Sequence, residues 1–279
     1  MRGTCKYAFE SAKWMPSLSD WSLAGQCIQQ NERVRISEFC YKDDAKLSLC
    51  TRLLIRYVLC KCLGEDWSTL KLTRTERGKP LLNHSVHKRK VFFNASHQGD
   101  FAVVAANCEH NIGVDIMDIR EQHGNVDTFF NLMDRQFTSD EWKCIKQPSN
   151  PSEQMRLFYR HWCLKESYVK ALGDGITYDL QSLNFKVLSP LTNVETNDTQ
   201  LAVSGSTETD WRFIETMLDE NHCVCVAINK QTVEGSTSSF KLLTFEDIMA
   251  LAKPLCKASD IEEQFLSSFN NPFKVKRYV

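Results

Sequence analysis

A chain of 279 residues with 42% hydrophobic and 25% charged positions suits one large domain or two of ordinary size and excludes a disordered polymer. Its formal net charge of −1 excludes bulk attraction to nucleic acid or anionic membranes, so any anion binding must come from local clusters. The start of the chain lacks the basic-then-apolar pattern of a secretory signal, and no apolar run approaches the roughly 20 residues of a membrane helix, so a cytosolic protein is expected.

In chain order, Asp43 and Asp44 can open a helix that runs to about Leu63 and stops at Gly64. Leu47, Cys50, Leu54, Tyr57 and Val58 recur along it at helical spacing. Residues 70–83 are polar and basic, and Gly78 and Pro80 predict a loop there. Residues 91–93 read as a strand that leads into a second loop over 94–100. Residues 101–106 form the next predicted strand and 112–119 its hairpin partner. Along that partner Ile112, Val114 and Ile116 point one way, and Gly113, Asp115 and Met117 the other.

Residues 129–145 are loosely helical in pattern. The next helix has a clear start, with Asn150 as cap, Pro151 at its first position and Glu153 in its first turn, and it stops at Gly173. Residues 183–188, 201–204, 211–217 and 223–228 read as strands, 229–239 as a flexible linker, and 244–252 as a short amphipathic helix before a tail. The predicted fold class is α+β: a pseudo-dimer of two similar halves, each a long helix packed on a mainly antiparallel sheet, with a cleft between them. The expected bounds are 1–120, 121–228, and 229–279 for linker and tail.

Twelve cysteines include no Cys-x-x-Cys pair, which removes zinc-ribbon spacing. In a reducing compartment they read as small buried hydrophobes. His84 and His87 lack a carboxylate at metal-ligand spacing, the His87–Lys90 cluster reads as solvated, and His161 reads as packing. Ser96 has no Gly-x-Ser-x-Gly elbow around it, and His97 beside it can simply bond to backbone.

Two features point to chemistry. Asp115 interrupts an apolar strand, which is costly unless a cation or hydrogen bonds satisfy it. Glu166 and Lys170 stand one helical turn apart, with Trp162 a turn earlier on the same row. Taken singly, Asp115 also suits bonding to backbone amides, and Glu166 with Lys170 suits a solvated surface pair. Trp162 argues for a partly buried face instead. The cations of residues 74–79 flank a glycine, an arrangement suited to an anion.

Gly113-Val114-Asp115-Ile116 followed by Trp162-x-x-Lys165-Glu166-Ser167-x-x-Lys170-Ala171 resembles the paired signatures of the 4′-phosphopantetheinyl transferase superfamily, in its large surfactin-synthetase-activating type. Arg74-Thr75-x-x-Gly78-Lys79-Pro80 and Asn94-x-Ser96-His97-Gln98-Gly99-Asp100 resemble two further motifs of that family, in the expected order. The resemblance spans about residues 14–228.

It implies transfer of the phosphopantetheine arm of coenzyme A to a serine of a carrier protein, with release of adenosine 3′,5′-bisphosphate. By motif, Asp115 and Glu166 would hold Mg²⁺ against the coenzyme A pyrophosphate, and Asp115, Glu166 and Lys170 would be the catalytic set. Lys170 would support the leaving group, and Glu166 would take the serine proton. Arg74, Thr75, Glu76, Arg77, Gly78 and Lys79, with Asn94, Ala95, Ser96 and His97, would bind the coenzyme, His97 at the 3′-phosphate. Arg35 fits a further coenzyme contact. Many bacterial relatives carry a second carboxylate where this chain has Met117, a poor ligand for hard Mg²⁺, so water near Gln98 would complete the shell.

The implied partners are apo acyl carrier protein, the carrier domain of fatty acid synthase and aminoadipate-semialdehyde dehydrogenase, with the enzyme a monomer. The competing reading is a non-catalytic module that binds coenzyme A or carrier domains. A third is a scaffold that works through its tail; by contrast, the enzyme reading expects deletion beyond residue 229 to spare much activity.

Overall fold

The computed structural model describes residues 3–76, 78–83, 89–120, 124–173, 178–229 and 239–273. The chain forms two units, one of Met1–Glu109 with Phe240–Lys276 and one built on His110–Ser239. The division therefore falls ahead of the expected boundary at residue 120.

The first unit opens with β1 (Cys5–Glu10), α1 (Leu18–Gln26) and α2 (Gln30–Ser37), then α3 (Lys42–Leu63), a helix of 22 residues. Tyr41 occupies the cap position of α3 without a side-chain bond, so Asp43 and Asp44 act by lying in the first turn, where negative charge favours the helix dipole. Gly64 ends the helix in the left-handed region at φ 69, which a Cβ would disfavour. Leu49, Leu53, Leu54 and Val58 are essentially inaccessible, because α3 lies across a sheet and under α1 and α2.

The stretch 70–83 is a β-ribbon rather than a loop: β2 (Leu72–Arg74) pairs antiparallel with β3 (Pro80–Leu82). Strands of three residues leave too little pattern to detect. The expected loop at 94–100 is likewise mostly strand. β4 (Phe92–Gln98) continues through it and turns at Gly99 into β5 (Phe101–Asn107). β4 is a sheet edge, and an edge strand tolerates polar residues that a central strand does not.

The second unit contains β6 (Ile112–Asp118), α4 (Val126–Leu132), α5 (Ser139–Lys146) and α6 (Pro151–Leu172), another helix of 22 residues. After α6 come β7 (Leu183–Lys186), β8 (Gln200–Val203), β9 (Ser206–Glu208), β10 (Trp211–Met217) and β11 (His222–Asn229). β6 is not the hairpin partner of β5, because β5 already has β1 and β4 on its two edges. It pairs antiparallel with β11, with Asp115 opposite Cys225, in a sheet of order β10-β11-β6. A second sheet runs β7-β8-β9. The ends of α6 are those expected: the Asn150 side chain accepts from the Ser152 amide at 2.9 Å, and Gly173 closes the helix at φ 86.

Residues 240–273 return to the first unit instead of forming a loose tail. β12 (Lys241–Leu243) lies parallel to β1 and completes the order β12-β1-β5-β4. α7 (Phe245–Met249) is capped by a reciprocal Thr244–Asp247 pair. α8 (Glu263–Ser267) buries Phe265 against the ring of Trp21, whose indole N–H donates to the Phe265 carbonyl at 3.1 Å. Each unit thus sets a 22-residue helix on a mainly antiparallel sheet, the predicted fold class. All twelve cysteines are free thiols, Cys40 exposed and most others buried.

Candidate active site

In the second unit, the site begins with a glycine. A Cβ on Gly113 would stand 2.0 Å from the Ser167 carbonyl oxygen and 2.5 Å from the Ala171 amide nitrogen. Only glycine lets α6 settle this closely on β6. Because side chains alternate along a strand, the face that meets α6 at Gly113 also carries Asp115 and Met117.

Asp115 is 4% exposed, and its Oδ1 lies 2.5 Å from Nζ of Lys170 on α6. Its carbonyl accepts from the Cys163 thiol at 3.2 Å. Glu166 stands one helical turn before Lys170. Burial raises its carboxyl above the ordinary value, the Asp115 carboxylate raises it further, and Lys170 opposes both. The structure therefore brings Asp115, Glu166 and Lys170 into one electrostatic group: two carboxylates and one ammonium.

That donor set fits a hard divalent cation. The strain in Glu166 has the sign a cation would relieve, and both carboxylates offer oxygen. Met117 shares the face of Asp115 but offers only a thioether. No group of three or more His, Cys, Asp or Glu suited to a metal occurs among the described residues. Asp115 and Glu166 are the two carboxylates this group offers, a number that would suit Mg²⁺, an ion that keeps water and phosphate oxygens in its shell.

The rest of the motif on α6 is structural. Trp162 is half-buried and stacks on Phe158 with centroids 6.2 Å apart, which makes this row a partly buried face. Lys165 points the other way. Its Nζ, fully inaccessible, lies 2.9 Å from Glu141 and donates to the carbonyls of Leu180 and Leu183 at 2.7 Å. Ser167 is buried, donating to the Leu164 carbonyl. His161 is packing, as read: it is fully buried, and burial lowers its imidazole to about 4.

The residues expected on the nucleotide lie in the first unit. The side-chain amide of Gln29, at the head of α2, donates to the Leu72 carbonyl at 2.9 Å and accepts from the Leu72 amide at 2.8 Å, clamping α2 to β2. Arg74, two residues on, donates to the Gly78 carbonyl at 2.5 Å, and the Thr75 hydroxyl accepts from the Lys79 amide at 3.0 Å. These bonds fold the ribbon tip into a tight turn, with Gly78 at φ 83. Glu76 is exposed on that turn, and Arg77 lies outside the described residues.

Burial holds Arg74 below the usual guanidinium range, the charge of Arg35 lowers it further, and Glu32 opposes. Burial alone lowers Lys79. On β4, Asn94 and Ser96 are buried, whereas Ala95 and His97 are more open. Nδ1 of His97 lies 3.1 Å from the Thr51 hydroxyl on α3. Arg52, beside Thr51, belongs with Arg35 and Arg74 electrostatically, and the motifs do not include it. A sequence signal does exist, since Arg52 and Arg56 are guanidiniums one turn apart in an otherwise apolar stretch of α3.

Comparison with known proteins matches residues 12–109 to the model described as 4′-phosphopantetheinyl transferase, N-terminal, and residues 111–227 to that of the 4′-phosphopantetheinyl transferase superfamily. The junction between the two coincides with the division of the chain into units. An L-aminoadipate-semialdehyde dehydrogenase-phosphopantetheinyl transferase from Xenopus laevis is 37% identical over 99% of this chain and 96% of its own length. The protein of that name from Homo sapiens is 38% identical over 90% of this chain and 86% of its own. A phosphopantetheinyl transferase from a Thraustochytrium strain is 32% identical over 83% of this chain and 81% of its own.

Proposed function

The chain belongs to the 4′-phosphopantetheinyl transferase superfamily and transfers phosphopantetheine to carrier proteins, and from that premise we propose that Asp115, Glu166 and Lys170 form its catalytic centre. Coenzyme A is the family's donor. The observation that carries the proposal is the contact of Lys170 with Asp115 one helical turn from Glu166. A purely binding module would need no second carboxylate beside the first.

In this reading Asp115 and Glu166 hold Mg²⁺. When bound, the ion supplies positive charge against the pyrophosphate oxygens, where negative charge develops as the phosphoanhydride breaks. Lys170 provides a fixed ammonium on the same face and neutralises the departing bisphosphate. Glu166 accepts the proton of the carrier serine, directly or through one water. Arg35, Arg74, Lys79 and His97 bind the nucleotide half, where guanidinium forks suit phosphate. Thr75 and Gly78 shape the turn that presents them, with Glu76, Arg77, Asn94, Ala95 and Ser96 as neighbouring coenzyme contacts.

The proposed acceptors are apo acyl carrier protein, the carrier domain of fatty acid synthase and aminoadipate-semialdehyde dehydrogenase, the last supported by the names of the Xenopus and human relatives. The deciding experiment incubates the protein with each apo carrier, coenzyme A and Mg²⁺ and weighs the product. A gain of one phosphopantetheine arm on the carrier serine is expected, lost when Mg²⁺ is chelated. Transfer undiminished by chelation would remove the metal from this account.

A further inference from the structure

Arg35 on α2, Arg52 on α3 and Arg74 on β2 come from three different elements, yet Arg52 feels the charge of both Arg74 and Arg35, and Arg74 feels that of Arg35. Glu32 is the carboxylate among them. Its Oε1 lies 3.9 Å from Arg52 Nε, while its Oε2 lies 3.7 Å from Arg56 and accepts from the Gln29 amide at 3.1 Å. One carboxylate, already shared with Arg56 and a helix cap, therefore faces the guanidiniums of Arg52 and Arg74 as well. Arg35 is exposed, but Arg52 and Arg74 are partly buried, and gathering like charges at such positions is costly unless a polyanion completes the set.

Arg52 has the features of a group held ready for such an anion. Its Nε is buried and makes no hydrogen bond among the described residues, since 3.9 Å to Glu32 is an ion-pair distance too long for one. Its side chain keeps 13% of its surface open. Thr51, the residue before it, meets His97 at 3.1 Å. Burial first, then Arg74, push Arg52 down to about 10, with Glu32 opposing, so the guanidinium still carries its charge at neutral pH.

We infer that Arg52 is a further binding residue of the nucleotide site, donating with Arg74 and His97 to the 3′-phosphate of coenzyme A and making the enzyme select the phosphorylated ribose. The inference rests on the transferase reading above and adds a specificity determinant to it. A guanidinium–phosphate contact is charge-assisted, and its loss costs on the order of tenfold to a hundredfold in affinity.

The test measures binding of coenzyme A and of 3′-dephospho-coenzyme A by titration calorimetry, with wild type, Arg52→Met and Arg52→Lys. Wild type is expected to prefer coenzyme A. Arg52→Met should lose about tenfold or more of its affinity for coenzyme A while binding the dephospho compound as wild type does, and Arg52→Lys should fall between. Equal weakening for both ligands would overturn the inference and leave Arg52 as a support for α2 through Glu32. Unchanged affinity for both would overturn it as well. Where Arg52→Met fails to fold, Arg52→Lys decides, and an unaltered preference there overturns the proposal. Wild-type indifference to the 3′-phosphate with transfer intact would sink this inference alone, whereas absence of transfer to any carrier would sink the reading beneath it.

Discussion

Gly113 and Ser167 approach so closely that a single added carbon on the glycine would stand 2.0 Å from the serine's carbonyl oxygen. That contact sets the distance between β6 and α6, and hence between Asp115 and Lys170. Gly113→Ala should force the two elements apart, destabilising the protein by about 3 kcal/mol, the upper end of overpacking costs, and removing transfer with it. Urea denaturation measures the first effect. A midpoint equal to wild type would mean that the close approach does not set the site.

Glu166→Gln should lower the transfer rate by about 10²–10⁴, the usual contribution of a positioned proton acceptor, while coenzyme A still binds appreciably. Single-turnover transfer beside a binding titration separates the two. A normal rate would take the proton-accepting role away from Glu166.

The same variant carries a stability prediction. Burial and Asp115 raise the Glu166 carboxyl, so its folded pKa lies above its unfolded one and the folded state holds this proton more tightly. The associated stability is present below the unfolded value, 4.5, and is lost as pH rises through the folded value. In the ligand-free protein Glu166→Gln should therefore be more stable than wild type at neutral pH, with the gap shrinking as pH falls through the folded value and closed below 4.5. Melting curves across pH test this, and a gap that widened in acid would reverse the assigned sign.

Asp115→Ala should raise the Mg²⁺ concentration needed for half-maximal transfer by at least about tenfold, the low end of what losing even a supporting residue of a metal site costs, or abolish transfer outright. The metal titration is the readout. A curve superimposable on wild type would remove Asp115 from the metal.

Lys165→Met should cost about 3–5 kcal/mol, because it leaves the inaccessible Glu141 carboxylate without its ammonium. Chemical denaturation gives the value. A loss below about 1 kcal/mol would place this pair among ion pairs of the solvated kind.

The sequence made the two long helices legible because their ends carry local chemistry: Asn150 and Pro151 at one start, Gly64 and Gly173 at the stops. Helical spacing put Glu166 and Lys170 on one row and strand alternation gave Asp115 its face, but the meeting of the two elements was implied only by the resemblance to the transferase family. Strand partners were not. β6 looked like a hairpin with β5 because the two are neighbours in sequence, whereas its partner β11 lies about a hundred residues on, and nothing local encodes that choice. The polar run Asn94–His97 hid an edge strand, and the three-residue β12 hid a parallel pairing. Arg52 was missed although it stands one turn from Arg56 in an apolar stretch of α3, because that signal does not say which groups on α2 and β2 the guanidinium will meet.

The return of Leu243, Ile248 and Phe265 to the first core has a consequence for synthesis. The second unit is continuous from His110 to Ser239 and can fold once it clears the ribosome, domain by domain as large chains do. The first must wait, its sheet lacking β12 and Trp21 lacking Phe265, until the ribosome has translated past them. Deleting everything beyond residue 229 therefore removes core from the half translated first, so such truncations should yield aggregation-prone chains rather than a trimmed, working enzyme.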